Sequence, residues 1–500
     1  MVCDLCYVFN EAPEAPQALN TYNSIVFSLS CSVSKMSLLW VGQIQLLRPA
    51  LPRRQHRRRR IPPHHFAPAS AYHWPTSENA VHTKTLEERF VISGGRELSG
   101  HVHISGSKNS ALAILAGTLC CYGTSVIHRV PKISDVATML SVLRSLGATV
   151  EVSDRGVRIN TDGVCSVEPC SESMLKIRAG FFVIGPLLAR FGEAVVSLPG
   201  GCNIGSRPVD LKGRVHARAE NGRCLVGGKF HLDYPSVGAT ETLMIAASMA
   251  EGVTVLSNAA QEPEVADLAE FLNASGAKIE GGGTPAVVIH GRKWLHGPEF
   301  TVIPDRIEAG TYMMAAAITH SCISMSPIFP SHLLSLITKL SAAGCEIIQK
   351  EPHYLEVSAV SHVRGVDLRG VHIRTAPFPG FPTDLQPQFM TLLSTCSGPA
   401  FVEETVFEGR MSHVKELQKL GAHIQVCENS ALVCGRGHLS LHGSRVHASD
   451  LRGGASLILA GLAAEGVTVI AGASHIDRGY ENLEQKLQLV GANIRREPDS

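Results

Sequence analysis

One helix ending recurs five times in this sequence and constrains the fold more than any other feature. Each copy is an amphipathic, leucine-containing pattern that runs into a glycine and then a small residue. A glycine just past a periodic apolar helix is the expected cap, because it takes the left-handed conformation without a Cβ clash. The five marker glycines are Gly147, Gly276, Gly344, Gly421 and Gly491.

The unit that carries this marker is of the α/β type. It comprises a small-residue helix, a short β-branched strand, a turn, the marked amphipathic helix and another strand. Successive markers lie roughly 70 residues apart, except that Gly147 and Gly276 are nearly twice as far apart. We therefore predict six units, one of them lying between these two glycines.

That second unit is incomplete in the sequence. Residues 177–189 are typical of its first helix and residues 194–198 of its strand, but no amphipathic helix with a glycine follows Leu211. About a dozen residues are missing by comparison with the other units. Because repeats of this size bury their faces against neighbours, we expect exposed apolar surface there. Coding sequence skipped in the gene model explains the gap equally well.

Six units divide naturally into two domains of three, and ligand sites favour such an interface. We predict one domain over residues 108–304 and a second over residues 88–107 together with 305–500. The chain then crosses between the domains near Ser107–Lys108 and again near Pro304–Asp305.

Residues 1–87 form a leader outside the repeats. Residues 15–77 contain no Asp or Glu, while arginines crowd the middle of this stretch. An Arg-rich, hydroxyl-bearing and acid-poor leader is typical of an organelle transit peptide, which predicts a plastid protein, otherwise a cytoplasmic one. Met1 or Met36 is the true start. A disordered basic tail or a poor gene model is the alternative.

Composition excludes several other classes. The net charge is +1, so nothing global indicates nucleic acid or a membrane surface as a partner. The longest apolar candidate, residues 38–47, is far shorter than the roughly 20 residues that a bilayer requires. The one C-x-x-C pair, Cys3 and Cys6, has no second pair to complete a zinc site. We expect no metal and no cofactor, in a reducing compartment.

The glycine-rich stretch 198–211 places a thiol, Cys202, five residues before Arg207. Glycines let a backbone fold closely around a ligand, and a nearby guanidinium lowers the pKa of a thiol and can bind phosphate. The pattern favours a reactive cysteine. The alternative is that Cys202 is simply one of the chain's fourteen cysteines, lying in a loop.

Charged and hydroxyl residues also lie in turns at the edges of the units. Lys108 opens a helix in a Gly/Ser turn, which suits a phosphate, and Ser236 either caps a helix or helps to form an anion cradle. Asp384 follows three prolines and is either a general base or a helix cap. Singly the arginines in such turns are surface ion pairs, but together they predict a cationic cleft for a polyanionic substrate: Arg178, Arg207, Arg452 and Arg478, with Lys108.

Five motifs occur together: Gly-Ser-Lys-Asn at 106–109, Leu-Pro-Gly-Gly-Cys-Asn-Ile-Gly-Ser-Arg-Pro-Val-Asp-Leu at 198–211, Ser-Val-Gly-Ala-Thr at 236–240, Phe-Pro-Thr-Asp at 381–384 and Ile-Asp-Arg-Gly-Tyr-Glu at 476–481. Because it contains all five motifs, the segment from about residue 88 to 495 resembles the enolpyruvyl transferase family, in particular the UDP-N-acetylglucosamine 1-carboxyvinyltransferases. The resemblance implies two inverse α/β-barrel domains of three units each.

The resemblance also implies a reaction. Phosphoenolpyruvate and UDP-N-acetylglucosamine would meet in the interdomain cleft. The enolpyruvyl group would pass to the sugar 3-hydroxyl by addition and elimination, with release of phosphate, as the first committed step of peptidoglycan precursor synthesis. The implied catalytic residues are Cys202, Asp384, Lys108 and Arg478. Asp384 would take the proton of the 3-hydroxyl, and Cys202 would protonate C3 of phosphoenolpyruvate.

The implied binding residues form two sets. Phosphoenolpyruvate would contact Lys108, Asn109, Arg207, Arg410, Arg452 and Arg478, with Arg410 and Arg452 near its carboxylate. UDP-N-acetylglucosamine would contact Asn109, Arg178, Arg207, Pro208, Val209, Asp210, Leu211, Ser236, Val237, Gly238, Asp384 and Val406.

Three departures from the family pattern are visible. The missing helix follows the uridine-binding segment directly. Tyr234 stands where a lysine is usual, and Ser134 stands where some members have another lysine. Two other functions therefore stay open: a non-catalytic descendant that binds with the same fold, and the sister transferase acting on shikimate 3-phosphate, which lacks the Cys202 loop. The oligomeric state is not determined by these patterns.

Overall fold

The computed structural model describes residues 87–197, 200, 214–219, 224–359, 368–437 and 440–499. The Cys202 loop and the leader lie outside these residues, as do Arg207, Pro208, Val209, Asp210 and Leu211.

Up to residue 301 the described chain alternates short strands and helices. The elements are β1 (Glu88–Ser93), β2 (Ser99–His103), α1 (Lys108–Gly117), β3 (Cys121–Tyr122), β4 (Thr124–His128), α2 (Ser134–Ser145), β5 (Thr149–Ser153), β6 (Gly156–Asn160), α3 (Ser171–Lys176), α4 (Ile184–Phe191), β7 (Glu193–Ser197), β8 (Arg214–Arg218), β9 (Lys229–His231), α5 (Val237–Ala247), β10 (Val253–Ser257), α6 (Pro263–Ala274), β11 (Lys278–Glu280), β12 (Ala286–His290), β13 (Leu295–His296) and β14 (Glu299–Thr301).

The same alternation continues to residue 498. The elements are α7 (Arg306–Ile318), β15 (Cys322–Ser326), α8 (Leu334–Ala343), β16 (Glu346–Glu351), β17 (Tyr354–Ser358), β18 (Ile373–Arg374), α9 (Gln386–Ser394), β19 (Ser397–Glu403), α10 (Val414–Lys419), β20 (Ile424–Cys427), β21 (Ser430–Arg436), β22 (Arg445–His447), α11 (Leu451–Ala463), β23 (Val467–Ala471), α12 (Ala473–Ile476), α13 (Leu483–Leu489) and β24 (Asn493–Pro498). Short 3₁₀ helices occupy Thr118–Cys120, Arg178–Val183, Pro330–Leu333, Thr383–Leu385 and Glu408–Met411.

Five units each contain a four-stranded sheet with one plan. The strand after the small-residue helix pairs with a parallel strand on one side and with an antiparallel strand on the other, and that antiparallel strand pairs with an edge strand. In the third unit, for example, Val255 of β10 pairs with Lys229 of the parallel β9 and with Val288 of the antiparallel β12. The sheet orders are β14-β4-β6-β5, β9-β10-β12-β11, β2-β15-β17-β16, β18-β19-β21-β20 and β22-β23-β1-β24.

The marker glycines take the conformation that the sequence predicts for them. All five have φ between 95° and 117°, which is the left-handed region. The prediction of repeated units that end in glycine caps is confirmed, and with it the α/β fold class.

The second unit is short in the structure as well. Among the described residues its sheet has two strands, β7 and β8, which pair antiparallel with Ser197 opposite Arg214. Sixteen residues join these strands, whereas 26 to 28 residues join the equivalent pairs in the first, third, fourth and fifth units. The shortage of about a dozen residues matches the length of the missing helix.

The exposed apolar face that we expected over this unit is not present in the part of the chain that the structure describes. Leu187 of α4 and Met244 of α5 are fully buried. The exposed apolar side chains of this unit are single ones, Leu175 and Phe191. The first helices of the second and third units, α4 and α5, are therefore buried along their core-facing sides.

Two hydrophobic cores share no residue. One runs from Ala111 to Val302, and the other combines residues 90–104 with residues 307–494. The centre of the second core is formed by α7, α9 and α11, of which every residue is buried. A helix that is apolar or small on all sides has no solvent face, which explains their central position. None of the helices in the described ranges is long and apolar enough to cross a membrane.

The chain passes twice between the two cores, and the two passages lie side by side. Ser107 N donates to Ile303 O at 2.7 Å, and Asp305 N donates to Ser105 O at 2.9 Å. Gly106 and Pro304 form an antiparallel bridge between the passages. A Cβ on Gly106 would lie 1.7 Å from the Arg129 carbonyl oxygen, so only glycine fits there.

Candidate active site

A cavity of about 440 Å³ opens between the two cores and is lined from both sides. It brings together ten of the residues that the sequence singles out: Lys108, Asn109, Arg178, Ser236, Val237, Asp384, Val406, Arg410, Arg452 and Arg478. Gly238 lies one residue further along α5 and is buried, but it does not line the cavity. Cys202 and the 207–211 segment lie outside the described residues.

The first turns of helices present most of these side chains. Lys108 is the first residue of α1, whose cap Ser107 accepts a hydrogen bond from Ser110 N. Ser236 caps α5 by accepting from Ala239 N, so the capping interpretation of this serine is correct. The first turn of a helix has further free amides, which can bind an anion, and Ser236 and Val237 line the cavity.

Arg452 is placed in the same manner by α11. The cap residue Asp450 accepts hydrogen bonds from Arg452 N at 3.0 Å and from Gly453 N at 2.9 Å. The cap fixes the backbone of the first turn, and the Arg452 side chain then extends toward the neighbouring Asp384.

Asp384 lies between two arginines and caps no helix. Its Oδ1 accepts from Arg410 Nη2 at 2.6 Å, and its Oδ2 accepts from Arg452 Nη2 at 3.0 Å. Burial would raise the pKa of Asp384, but Arg452 and Arg410 outweigh it and hold this pKa well below its usual range. The carboxylate is ionised throughout the neutral range, and both guanidinium groups are engaged by it.

Both arginines also carry unused donors. Among the described residues, Arg410 Nε and Arg452 Nη1 are buried without a hydrogen-bond partner. A buried donor left unpaired costs about 1–3 kcal/mol, so these groups favour a ligand that accepts hydrogen bonds. A carboxylate has the geometry and charge to accept from both.

A second ion-pair cluster joins the two cores. Lys108 Nζ lies 2.8 Å from Asp135 Oδ2, and Arg478 Nε lies 2.9 Å from Asp135 Oδ1. Burial alone would raise the pKa of Asp135, but Lys108 and Arg478 lower it. Lys108 and Asp135 belong to the first core's side and Arg478 to the second. Two cations thus meet at one point of the cavity wall.

Sequence reasoning missed Asp135. It lies one residue after Ser134, in the first turn of α2, and none of the five motifs includes it. The only available signal was its place in a proline-flanked turn of the kind that holds the other site residues. Its partner Arg478 is 343 residues away.

An acidic corner occupies another part of the same cavity and was also missed. Glu264 accepts from Arg306 Nε at 3.0 Å, and Glu262 accepts from Phe378 N at 3.1 Å. Glu241 Oε1 is buried and has no hydrogen-bond partner among the described residues. Burial raises the pKa of Glu241 well above its usual value, and the two neighbouring glutamates add to this effect.

The expected cationic cleft describes only one part of this cavity. Positive charge is concentrated around Asp384 and Asp135, while the Glu241 corner is lined by three glutamates, one of them paired with Arg306. Tyr234, which replaces the family's usual lysine, lines the cavity, and burial together with Glu262 and Glu404 raises its pKa. The site can bind an anion at one end and a hydrogen-bond donor at the other.

The comparisons with known proteins agree on one group. Residues 92–487 match the family model "EPSP synthase (3-phosphoshikimate 1-carboxyvinyltransferase)". A UDP-N-acetylglucosamine 1-carboxyvinyltransferase of Gloeobacter violaceus is 49% identical over 426 residues, 83% of this chain and 91% of the relative. A second such protein, from Carboxydothermus hydrogenoformans, is 49% identical over 82% of this chain and 100% of the relative.

Solved structures give the same answer for the fold. The enolpyruvyl transferase NikO from Streptomyces tendae aligns with a TM-score of 0.72 at 25% identity, over 83% of this chain and all of that one. EPSP synthase from Acinetobacter baumannii aligns with a TM-score of 0.61 at 17% identity, over 82% of this chain and all of that one.

Proposed function

The chain belongs to the EPSP synthase family, and within it to the UDP-N-acetylglucosamine 1-carboxyvinyltransferases, and we propose that it transfers the enolpyruvyl group of phosphoenolpyruvate to the 3-hydroxyl of UDP-N-acetylglucosamine. The observation that carries this proposal is the interdomain cavity, where four cations from both cores surround two carboxylates. No metal or cofactor is required.

The two ion-pair clusters bind opposite ends of phosphoenolpyruvate. Lys108 and Arg478 bind its phosphate, together with Arg207 and Asn109. Arg410 and Arg452 bind its carboxylate, using the donors that are unpaired without it. Positive charge then faces both ends of the substrate and the charge that develops during addition.

Binding of the carboxylate also activates Asp384. While both arginines bind Asp384, its low pKa makes it a weak base. Once the substrate carboxylate binds beside Arg410 and Arg452, its negative charge offsets theirs, and the pKa of Asp384 rises toward a value that suits proton transfer. Asp384 therefore becomes an effective base only when phosphoenolpyruvate is bound.

The reaction is an addition followed by an elimination. The sugar 3-oxygen bonds to C2 of phosphoenolpyruvate as Asp384 takes its proton, and the Cys202 thiol protonates C3. The tetrahedral intermediate then loses a proton from C3 and breaks the C2–phosphate bond, which leaves the enol ether and inorganic phosphate. Cys202 can also add covalently to phosphoenolpyruvate. Closure of the two domains excludes water from these steps.

The sugar nucleotide binds along the first domain. Its uridine is held by the 207–211 segment, its diphosphate by the start of α5 and its sugar near Asp384. The residues proposed for it are Asn109, Arg178, Arg207, Pro208, Val209, Asp210, Leu211, Ser236, Val237, Gly238, Asp384 and Val406.

The test is phosphate release from phosphoenolpyruvate. We expect release that requires UDP-N-acetylglucosamine and is lost in Cys202→Ala. Cys427→Ala, which removes an exposed thiol of β20, is the matched control and should keep the wild-type rate. Release that requires shikimate 3-phosphate instead would favour the sister reaction.

A second candidate function is supported by the short second unit. A descendant that keeps the fold but not the chemistry would bind the sugar nucleotide without turnover. A folded protein that binds UDP-N-acetylglucosamine and releases no phosphate would decide for this binding function.

Fosfomycin gives an independent test of the thiol. This epoxide mimics phosphoenolpyruvate, so we expect one covalent adduct on Cys202, detected as added intact mass and located by peptide mapping. An adduct on another cysteine, or none, would argue against an activated Cys202.

We also propose a plastid location, with residues 1–87 as transit peptide, on the basis of the acid-free, Arg-rich leader. A reporter fused to residues 1–87 should enter plastids. A reporter that stays in the cytosol would count against the proposal.

A further inference from the structure

Each passage between the cores is held by a buried carboxylate of the core that it leaves. Glu308 of α7 accepts a hydrogen bond from Ser105 N at 2.7 Å. Asp267 of α6 accepts one from Ile303 N at 3.3 Å. Both carboxylates are only 2% exposed. Neither touches the cavity, so the substrate-binding set does not account for them.

Glu308 is part of a closed network. Lys486 Nζ of α13 donates to Glu308 Oε1 at 2.6 Å and to Ser105 Oγ at 2.7 Å. Helices α7 and α13 of the second core thus both form hydrogen bonds to Ser105 in the first passage. A buried ion pair contributes little net stability, because desolvation offsets the attraction, but it fixes geometry when all of its hydrogen bonds are made.

Asp267 performs the equivalent task on the other side. Besides Ile303 N, it accepts a hydrogen bond from the Ser110 hydroxyl in the first turn of α1. It therefore ties the second passage to the helix that begins with Lys108.

Lys108 is the point where the two passages converge. Its backbone N donates to Asp305 Oδ2 of the second passage at 3.0 Å, while its side chain reaches Asp135 in the cavity wall. Asp305 in turn caps α7 by accepting from Glu308 N. The position of the Lys108 ammonium group thus depends on both passages being held in register.

We propose that Glu308 and Asp267 are positioning residues, which hold the paired passages so that Lys108 lies beside Arg478 at Asp135 in the cavity wall. The role that follows, presenting Lys108 to the phosphate of phosphoenolpyruvate, rests on the proposed function. Neither residue touches the reacting atoms.

The first test is kinetic. Glu308→Gln and Asp267→Asn should each raise the KM and the Kd for phosphoenolpyruvate roughly tenfold to a hundredfold, as expected for a displaced binding group. The Kd for UDP-N-acetylglucosamine, measured without phosphoenolpyruvate, should change less than about twofold, because that site lies mainly on the first domain.

The control is Ser321→Ala. Ser321 is also buried and also accepts a backbone hydrogen bond, from Leu98 N at 2.7 Å, but at the far end of α7. It should lower stability without changing the KM for phosphoenolpyruvate. Equal KM changes in Ser321→Ala and Glu308→Gln would mean that the Glu308 carboxylate only stabilises the fold, and this result would overturn the proposal.

Hydrogen exchange separates failure of this proposal from failure of the proposed function. In the ligand-free protein, Glu308→Gln should speed exchange in peptides covering residues 103–110, and Ser321→Ala should not. Faster exchange with an unchanged Kd for phosphoenolpyruvate would reject positioning while leaving the enzyme assignment intact. A wild-type protein that binds no phosphoenolpyruvate would reject both.

Discussion

At the residue scale, the site is built from carboxylates that are held between cations. Asp384 bridges Arg410 and Arg452, and Asp135 bridges Lys108 and Arg478. Each carboxylate keeps two buried cations in place when no substrate is bound, which would otherwise repel one another. A substrate with two anionic ends can then replace part of each carboxylate's interactions without leaving a charge unpaired.

We predict that Asp384→Asn abolishes most of the turnover but not substrate binding. An amide cannot accept the proton of the sugar hydroxyl, so kcat should fall about 10²–10⁴-fold. Arg410 and Arg452 lose their anion, so phosphoenolpyruvate should bind at least as tightly as before. Phosphate release and calorimetric binding measure the two effects. Glu403→Gln, which removes an exposed carboxylate paired with Arg374, should leave both unchanged.

Asp267 gives a prediction about pH. Burial raises its pKa from 3.8 to about 7 in the folded protein, opposed by hydrogen bonds from Ser110 and Ile303 and reinforced by Glu270 and Glu264. Because the folded pKa exceeds the unfolded one, this group's contribution to stability is present in full below about pH 4. It is lost as pH rises through 7, at up to about 1.4 kcal/mol per pH unit.

Asp267→Asn should remove that dependence. The free energy of unfolding, measured by denaturant titration at pH 5 and pH 7, should differ less between the two conditions in the variant than in the wild type. Glu280→Gln, which removes an exposed carboxylate paired with Lys278 on the same core, serves as the control. A wild type and Asp267→Asn with parallel pH profiles would contradict the prediction.

At the scale of elements, the second unit is the exception in a regular series. Five units complete a four-stranded sheet, and the second retains only β7 and β8 among the described residues. The first helix of this unit, α4, is packed against the first core, as the burial of Leu187 shows.

Restoring the missing segment should stabilise the protein. We predict that inserting the equivalent dozen or so residues of a full-length relative after Leu211 raises the thermal midpoint by several degrees, since about 1 kcal/mol corresponds to about 2–4 °C in a domain of this size. Differential scanning calorimetry measures this shift. A Gly/Ser insertion of equal length should give no gain, because it supplies no surface to bury. An unchanged midpoint with the native segment would mean that the unit is already complete without it.

How far the sequence predicts the structure depends on the range of the interaction. Glycine caps are local, so Gly147 and the other markers were identified correctly from spacing alone. Of the ten predicted site residues that line the cavity, six lie in the five motifs. Asp135 and Glu241 were missed, since their role comes from partners far away in the sequence, and the pairing of Asp384 with arginines 26 and 68 residues distant has no local signal.

At the scale of the whole molecule, two cores face one another across a charged cavity. The passages at residues 104–107 and 303–305 are the covalent connections between them, and the Asp135–Arg478 pair is a noncovalent one. We propose that the domain boundaries fall at these passages, near Lys108 and Pro304. The cavity walls can then approach or separate without disturbing either core.

We predict that Asp135→Asn weakens this connection and makes the protein more responsive to phosphate. Removing one partner from a buried charge cluster typically costs about 3–5 kcal/mol, so the thermal midpoint should fall. Lys108 and Arg478 become uncompensated, so inorganic phosphate should raise the midpoint of Asp135→Asn more than that of the wild type. Asp154→Asn, which breaks only the exposed pair with Lys132, is the control. An equal phosphate response in the two proteins would contradict the prediction.

The strand β1 has a consequence for how the protein is made. It is the earliest described strand, yet it lies between β23 and β24, so that Phe90 pairs with Ile470 and with Arg496. During synthesis on the ribosome, β1 cannot pair with β23 and β24 until almost the entire chain has emerged. The core between Ala111 and Val302 has no such dependence and can assemble during synthesis. We therefore expect the first core to fold before the second core is complete.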